Sequence, residues 1–417
     1  MGKNKIFQII KNEIDSILLI TIFSLSFLSI LTLHFKLDTV SSIFFKMIFG
    51  FIGLWLIIKL ILFLKQKPKE KLTFDCKMIL VLSGLAILFL TISVLISYIT
   101  NKTNPTFNSL SYFVVLIFSI LTLLLVMYGK FNHIIFKVLI VESFLLSLIF
   151  LITFATGYSR EWSGVKSFSG LTLNFSNPNL AGIILSTLAI IIIYSMYTFD
   201  SKVIKYSLLI FVGIDLVLLI FTSARTPLLA CGCAIIGTAA YFFFKKHDLN
   251  FSISITIVLV PIIFVGLYLL VFNGNLSSTI SSGTINEGKG AASRLFIWVE
   301  RIKQYSATPR TILFGDYLRL QSNSHNSILT LLSSYGLFST VSCLLLMSFG
   351  LYHLTKDVIS FNINNFYGLF FILFVVLLGI GESIPIISSN GMFAFFINGI
   401  PMVKIAEPHR INITTHK

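Results

Sequence analysis

Charged side chains are scarce in this chain: Asp, Glu, Lys and Arg make up 11% of its 417 residues, against about a quarter in an ordinary soluble domain. So few charges cannot cover the surface of a water-soluble globule of this size. Cysteine is also rare, with Cys76, Cys231, Cys233 and Cys343 scattered through or beside apolar stretches. Cys231 and Cys233 are two apart and point in different directions on a helix, which argues against a disulfide framework or a zinc site. The start, MGKNKIFQIIKNEIDSILL, has basic residues before an apolar run but no small-residue cleavage site. It reads as an uncleaved first span. Ile6 stands where an N-myristoylation signal needs Ser or Thr. No internal repeat of useful strength is present.

What the chain has is hydrocarbon. Hydrophobic residues make up 56% of it, including 42 Phe, in runs of about 18 to 25 residues, the length that crosses a bilayer as a helix. Spans are expected near 14–33, 40–64, 78–99, 110–128, 138–156, 180–199, 206–223, 226–244, 253–272, 327–354, 367–381 and 390–403. The expected fold is therefore an all-α polytopic membrane protein of about twelve helices, one integral membrane domain over residues 1–417. The net charge of +15 invites a nucleic-acid reading, but its placement argues otherwise. The N-terminus, the even-numbered loops and the C-terminus hold 18 Lys or Arg, while the short odd-numbered loops hold five: Lys36, Lys102, Arg160, Lys166 and Arg225. Basic residues in short loops mark the cytoplasmic side, which predicts both termini inside.

Residues 273–326 form one long external loop with six basic residues, Lys289, Arg294, Arg301, Lys303, Arg310 and Arg319. Long loops escape the positive-inside bias, so orientation does not explain these charges. A loop of this length is usually functional or disordered. Its first part is Ser/Gly-rich. In its second part Leu295, Trp298, Val299, Ile302 and Tyr305 follow helical spacing, which predicts an amphipathic helix on the outer membrane surface that ends near Pro309. Arg294 and Arg301 are seven apart and share a face of it.

Few ionisable residues fall inside the expected spans: Lys46 and Lys59, close enough to span ends to snorkel, Glu142 one turn from an edge, and Asp215 near mid-span. An acid so placed suits either a functional site or a bond to a neighbouring helix. The external loops are richer. Asn177-Pro178-Asn179 before LAGIIL reads as a turn with a helix cap, and Arg160 suits either loop solvation or a ligand contact. Arg225 lies in a tight turn between two spans, where it can reach phospholipid head groups or hold a buried anion. In SNSHNSILTLL (322–332) His325 falls at a helix start, beside Asn326. The positive helix end there disfavours imidazolium, so a neutral imidazole suits a general base as well as a cap. The acids of the external loops, Asp38, Glu161, Glu287, Glu300, Asp316 and Glu382, form neither a DxD pair nor a His/carboxylate cluster at metal-ligand spacing. Metal-independent chemistry without a cofactor is the expectation. Arginine forks bind phosphate oxygens bidentately, so Arg160, Arg225 and Arg294 on one membrane face imply a phosphorylated, membrane-embedded ligand.

Four segments, in order and spacing, resemble the bacterial O-antigen ligase and polymerase superfamily of membrane glycosyltransferases: FSNPNLAG at 175–182, TSARTPLL at 222–229, SRLFIWVERIKQYSATPRTILFGDY at 293–317 and SHNSILTLLSSYGLFSTV at 324–341. They carry an Asn-Pro-Asn turn, a Ser-x-Arg turn, an Arg-x-x-x-Trp surface helix with a following glycine, and a His-Asn helix start with a later glycine, Gly336. The large external loop lies between the third and fourth of these features, as it does in that family. The chain departs from the family pattern where Ala224 separates Ser223 from Arg225, and where Gly315 is followed by Asp316 in place of Gly-x-Gly.

The resemblance implies a donor and an acceptor glycan on undecaprenyl diphosphate in the bacterial cytoplasmic membrane, with the site facing the exterior. Arg225 and Arg294, with Arg160, would hold the diphosphate, and His325 would take the proton of the attacking hydroxyl. Asn326, Asn179 and Arg301 would support them. Arginine charge would replace a metal on the leaving group, and the transfer would invert the anomeric centre. A flippase and a chain-length regulator of the same pathway would be partners. Two activities share this apparatus, polymerisation of repeat units and ligation of the finished glycan to lipid A core or protein; polymerase is the expectation. A lipid-linked oligosaccharide flippase is the alternative from another class, but it would place cations inside the spans, where only Lys46 and Lys59 lie.

Overall fold

The computed structural model describes residues 3–65, 74–104, 107–128, 134–157, 171–175, 178–195, 201–246, 259–272, 290–320, 326–357, 373–374 and 376–381. Every regular element among them is α-helical: α1 (Lys3–His34), α2 (Asp38–Lys65), α3 (Phe74–Asn101), α4 (Phe107–Tyr128), α5 (Ile134–Ala155), α6 (Pro178–Ser195), α7 (Lys202–Phe221), α8 (Arg225–Lys246), α9 (Val260–Phe272), α10 (Gly290–Tyr305), α11 (Pro309–Phe314), α12 (Tyr317–Leu320) and α13 (Ser327–Asp357). Among the described residues six helical stretches are long and apolar enough to cross a membrane: Glu13–His34, Asp38–Ile61, Lys77–Asn101, Lys137–Ala155, Lys202–Phe221 and Ser327–Leu346. This is an all-α, membrane-embedded protein. Helices α4, α6, α8 and α9 fall on four further expected spans; residues 376–381 are helical within the expected 367–381 span, and 390–403 lies outside the described residues.

Two bodies of packing hold the helices. The larger surrounds α6, which packs against α5, α7 and α8. From Leu180 to Ile192 every α6 residue is buried, which is why its sequence is apolar on all sides and shows no polar face. Ser186 and Thr187 return their hydroxyls to the carbonyls of Gly182 and Ile183, so they are buried without an orphan donor. Helices α1 and α2 form a hairpin on the α5 side. Asp15, 3% exposed, accepts from Trp55 Nε1 at 2.7 Å and from Lys59 Nζ at 2.6 Å. Lys59 is thus tied to a buried acid in addition to lying near a helix end. The smaller body packs α3 along α13 with α4 beside it. The two intramembrane acids each find a serine on another helix: Glu142 accepts from Ser24 at 2.6 Å and Asp215 from Ser147 at 2.8 Å.

The amphipathic stretch of the large loop departs from its expected form in two respects. Helix α10 stops at Tyr305, and Pro309 opens a second helix instead of closing the first, because Thr308 and Thr311 form a reciprocal capping box with Pro309 at the first helical position. Trp298 leaves the surface stripe and packs against the main core, while Val299 and Ile302 stay exposed.

Candidate functional site

Helix ends from distant parts of the sequence meet on one face. At the end of α1, His34 is fully buried; its Nδ1 lies 2.7 Å from the Leu173 carbonyl and its Nε2 3.1 Å from Thr153 Oγ1 at the end of α5. A carbonyl only accepts, so Nδ1 carries the proton. The Phe35, Phe150 and Phe175 rings surround the imidazole. The clamp holds residues 171–175 through two consecutive left-handed residues, Leu173 (φ 47°) and Asn174 (φ 63°), a conformation that costs most L-residues energy and persists only where neighbours enforce it. Leu171 N–H donates to the Phe221 carbonyl at 3.0 Å, which joins this loop to the end of α7.

Three residues turn α7 into α8. Thr222 Oγ1 donates to the Leu219 carbonyl at 2.6 Å and accepts from Ala224 N–H at 3.2 Å, and Ser223 adopts φ 55°. Ala224 is seated against Gly182 so closely that any side chain at 182 would overlap its Cβ. The residue that leads into α8 therefore touches the second turn of α6, and the positive ends of two long helices lie near each other. Arg225, the first residue of α8, is exposed there, and Asn179, half-buried, lies in the first turn of α6.

A second assembly joins the large loop to α3 and α13. Gly336 breaks α13 with φ 77° and ψ −178°. Gly315 (φ 69°) lies against that break, backbone on backbone: a Cβ on Gly315 would stand 2.5 Å from Tyr335 N, and one on Gly336 would overlap the Leu313 carbonyl. Asp316, 3% exposed, follows immediately. Its Oδ1 accepts from Ser97 Oγ at 3.0 Å and Asn101 Nδ2 at 3.2 Å, its Oδ2 from Arg310 Nη2 at 3.2 Å, and its N–H donates to the Ser333 carbonyl at 2.9 Å. Arg319 Nε lies 4.0 Å from Oδ2. Buried Tyr317 accepts from Phe113 N–H at 3.3 Å.

Asn326 caps α13: its Oδ1 accepts from Leu329 N–H at 2.9 Å, while its Nδ2 donates to the Ile380 carbonyl at 2.9 Å. Arg294 falls in the second turn of α10. Arg301 is half-buried on the same helix, and burial holds its guanidinium below the usual arginine range. Burial likewise raises Tyr305, whose hydroxyl donates to the Ile312 carbonyl at 2.9 Å. His325 and Arg160 lie outside the described residues. Arg225 and Asn326 open helices of different packing bodies, α8 on α6 and α13 on α3. Among the described residues no group of three or more His, Cys, Asp or Glu gathers as a metal site.

Sequence reasoning passed over His34 and Asp15, and saw Asp316 only as an external acid after a glycine. The Gly315-Asp316 pair did carry a signal, since a glycine directly before an acid in a mostly basic loop marks a tight turn with a built-in counter-charge. Membership in the class of polytopic helical membrane proteins is clear from this architecture. The chain has no significant match among known protein-family models or among curated proteins.

Proposed function

We propose that this chain is a polymerase of undecaprenyl-diphosphate-linked oligosaccharide repeat units of an O-antigen or capsular polysaccharide, a multi-pass glycosyltransferase of the bacterial cytoplasmic membrane. The observation that carries the reading is the contact of Gly182 with Ala224. It brings two helix N-termini near each other beside the exposed Arg225, a positive, partly apolar setting suited to a diphosphate on a lipid. Arg294 of the large loop and Arg160 complete the proposed anion site, with Asn179 and Arg301 in support.

In the proposed reaction a hydroxyl of the acceptor repeat unit attacks the anomeric carbon of the donor glycan. Its proton passes to His325, the new glycosidic C–O bond forms on the face opposite the diphosphate, and the C–O bond to the diphosphate breaks with inversion. Undecaprenyl diphosphate leaves with both electrons of that bond, its charge offset by the arginines. Asn326 holds the start of α13 next to His325 through its cap, a bond that ties the helix start to the Ile380 carbonyl as well.

The test is His325→Ala in proteoliposomes with undecaprenyl-diphosphate repeat units, after confirming that the variant inserts and folds. Native protein is expected to build a ladder of longer lipid-linked glycans, and the variant to lose at least about 100-fold in rate. A variant that extends glycans at the native rate removes the histidine from the mechanism. A native protein that makes no ladder, yet moves a finished glycan to lipid A core or protein, is a ligase.

A further inference from the structure

We propose that Asp316 is a positioning residue for the arginine-bearing surface helix. With Arg310 it locks the α10–α12 segment into the break of α13, and so sets where that helix meets an anionic lipid-linked ligand. The inference rests on the reading above that Arg294 and Arg301 belong to a diphosphate site.

Three independent features make the lock. The first is steric: Gly315 and Gly336 meet backbone to backbone, with no room for a Cβ on either, so the segment enters α13 at one register only. The second is polar. Both oxygens of buried Asp316 are bonded, Oδ1 to Ser97 and Asn101 of α3 and Oδ2 to Arg310 of α11, and its N–H bonds the Ser333 carbonyl of α13. One residue thus ties the loop to α3 through its side chain and to α13 through its backbone N–H. The third lies between lock and surface helix. Tyr305, the last residue of α10, bonds the Ile312 carbonyl, and Thr311 Oγ1 donates to the Tyr305 carbonyl at 2.7 Å. The end of α10 is therefore held directly by α11, which the lock holds. A buried carboxylate with this many partners does more than solvate a loop. Losing it would leave Arg310, 31% exposed, without its counter-ion, and a charge left half-buried and unpaired drives a segment out of its seat.

The experiment compares full-length native protein, Asp316→Asn, the double variant Arg310→Gln/Asp316→Asn, and His325→Ala. Hydrogen exchange of the amides of residues 310–318 reads the lock without reference to activity. Binding of undecaprenyl diphosphate in detergent micelles and the KM for lipid-linked donor read its consequence. Asp316→Asn is expected to exchange at least about 10-fold faster over 310–318 and to raise Kd and KM by about 10-fold or more, with kcat changed less. The double variant, which removes the unpaired charge and can form an amide–amide bond, is expected to recover much of both losses. His325→Ala is expected to bind as native and lose transfer. Native-like exchange in Asp316→Asn overturns the lock. Fast exchange with native Kd and KM makes the lock purely structural and overturns its positioning role. A native protein that neither binds undecaprenyl diphosphate nor transfers glycan overturns the functional reading itself, and the positioning role with it, while exchange still reports on the lock.

Discussion

At the scale of single residues the two glycines of the loop–helix junction are tightly constrained. Gly336 combines φ 77° with ψ −178°, a region open essentially to glycine alone, and a Cβ there would collide with the backbone of residues 313–315. Gly315 faces the same contact from the other side, with three backbone atoms of residues 334–336 within 2.6 Å of a built Cβ. Strain and overlap act together, so Gly336→Ala is expected to destabilise the protein by about 3 kcal/mol or more. Gly266, whose Cβ would meet nothing within 4 Å, provides the control: Gly266→Ala is expected to be neutral or slightly stabilising. Thermal unfolding followed by loss of the monodisperse peak in detergent distinguishes them. Equal midpoints for the two variants would contradict the close backbone contact. His34 acts at the same scale by another route. Its ring holds a loop with two left-handed residues against the ends of α1 and α5, so a buried imidazole here serves as a structural clamp on the functional face.

At the scale of helices the pairings are set by few polar bonds within large apolar contacts. The α1–α2 hairpin is tied at its open end by Asp15, which takes bonds from both Trp55 and Lys59. Lys59→Met removes the cation from that buried acid. The expected cost is about 2 kcal/mol, below the range of a fully buried pair because 27% of the Lys59 side chain is exposed. Adding Asp15→Asn removes the stranded charge and is expected to restore most of the loss, a coupling that a double-mutant cycle reads directly; additive losses would show that the two residues do not interact. The places of the six long apolar helices were legible in the sequence, since a run of about 20 apolar residues has few alternatives in a membrane. The cross-helix bonds were not. Ser97 and Asp316 are 219 residues apart, and only the packing of α3 on α13 makes them neighbours. Pro309 shows a different limit: the residue taken to end α10 starts α11, because proline suits the first turn of a helix as well as the stretch beyond one. Of the anticipated site, the tight turn at Arg225 and the helix start at His325-Asn326 could be read locally, because caps and turns depend on residues within four positions. The contact of α6 with the residue that leads into α8 could not, because nothing in LAGIIL says which helix Gly182 meets.

At the scale of the whole molecule the question is which way the functional face points. With the spans numbered as the sequence predicts, the contacts given by His34 with Leu173 and Thr153, Leu171 with Phe221, and Asn101 with Asp316 all join ends of odd-numbered connections. The short connections of that parity hold five Lys or Arg, and the long one escapes the charge rule, while 18 basic residues fall in the termini and the expected connections of the other parity. The charge rule predicts that the joined ends face outward, the side that the proposed glycan transfer at the outer leaflet requires. Lys36 and Lys102 mark the first two odd turns, both exposed and both in left-handed backbone at helix ends; Lys202, exposed at the start of α7, marks the other parity. Single cysteines at these three positions, in a Cys76→Ser background, can be probed in intact cells with a membrane-impermeant maleimide. The remaining native thiols, Cys231, Cys233 and Cys343, are buried and should contribute little signal. Lys36→Cys and Lys102→Cys are expected to label without permeabilisation, and Lys202→Cys only after it. Labelling of Lys36→Cys and Lys102→Cys from opposite sides would break the alternation itself. Labelling of both only after permeabilisation would keep the fold and invert the protein, placing Arg225, Arg294 and Asn326 at the cytoplasmic leaflet, where an exterior polymerase has no substrate. The fold and the functional reading thus stand on separate outcomes of one labelling pattern.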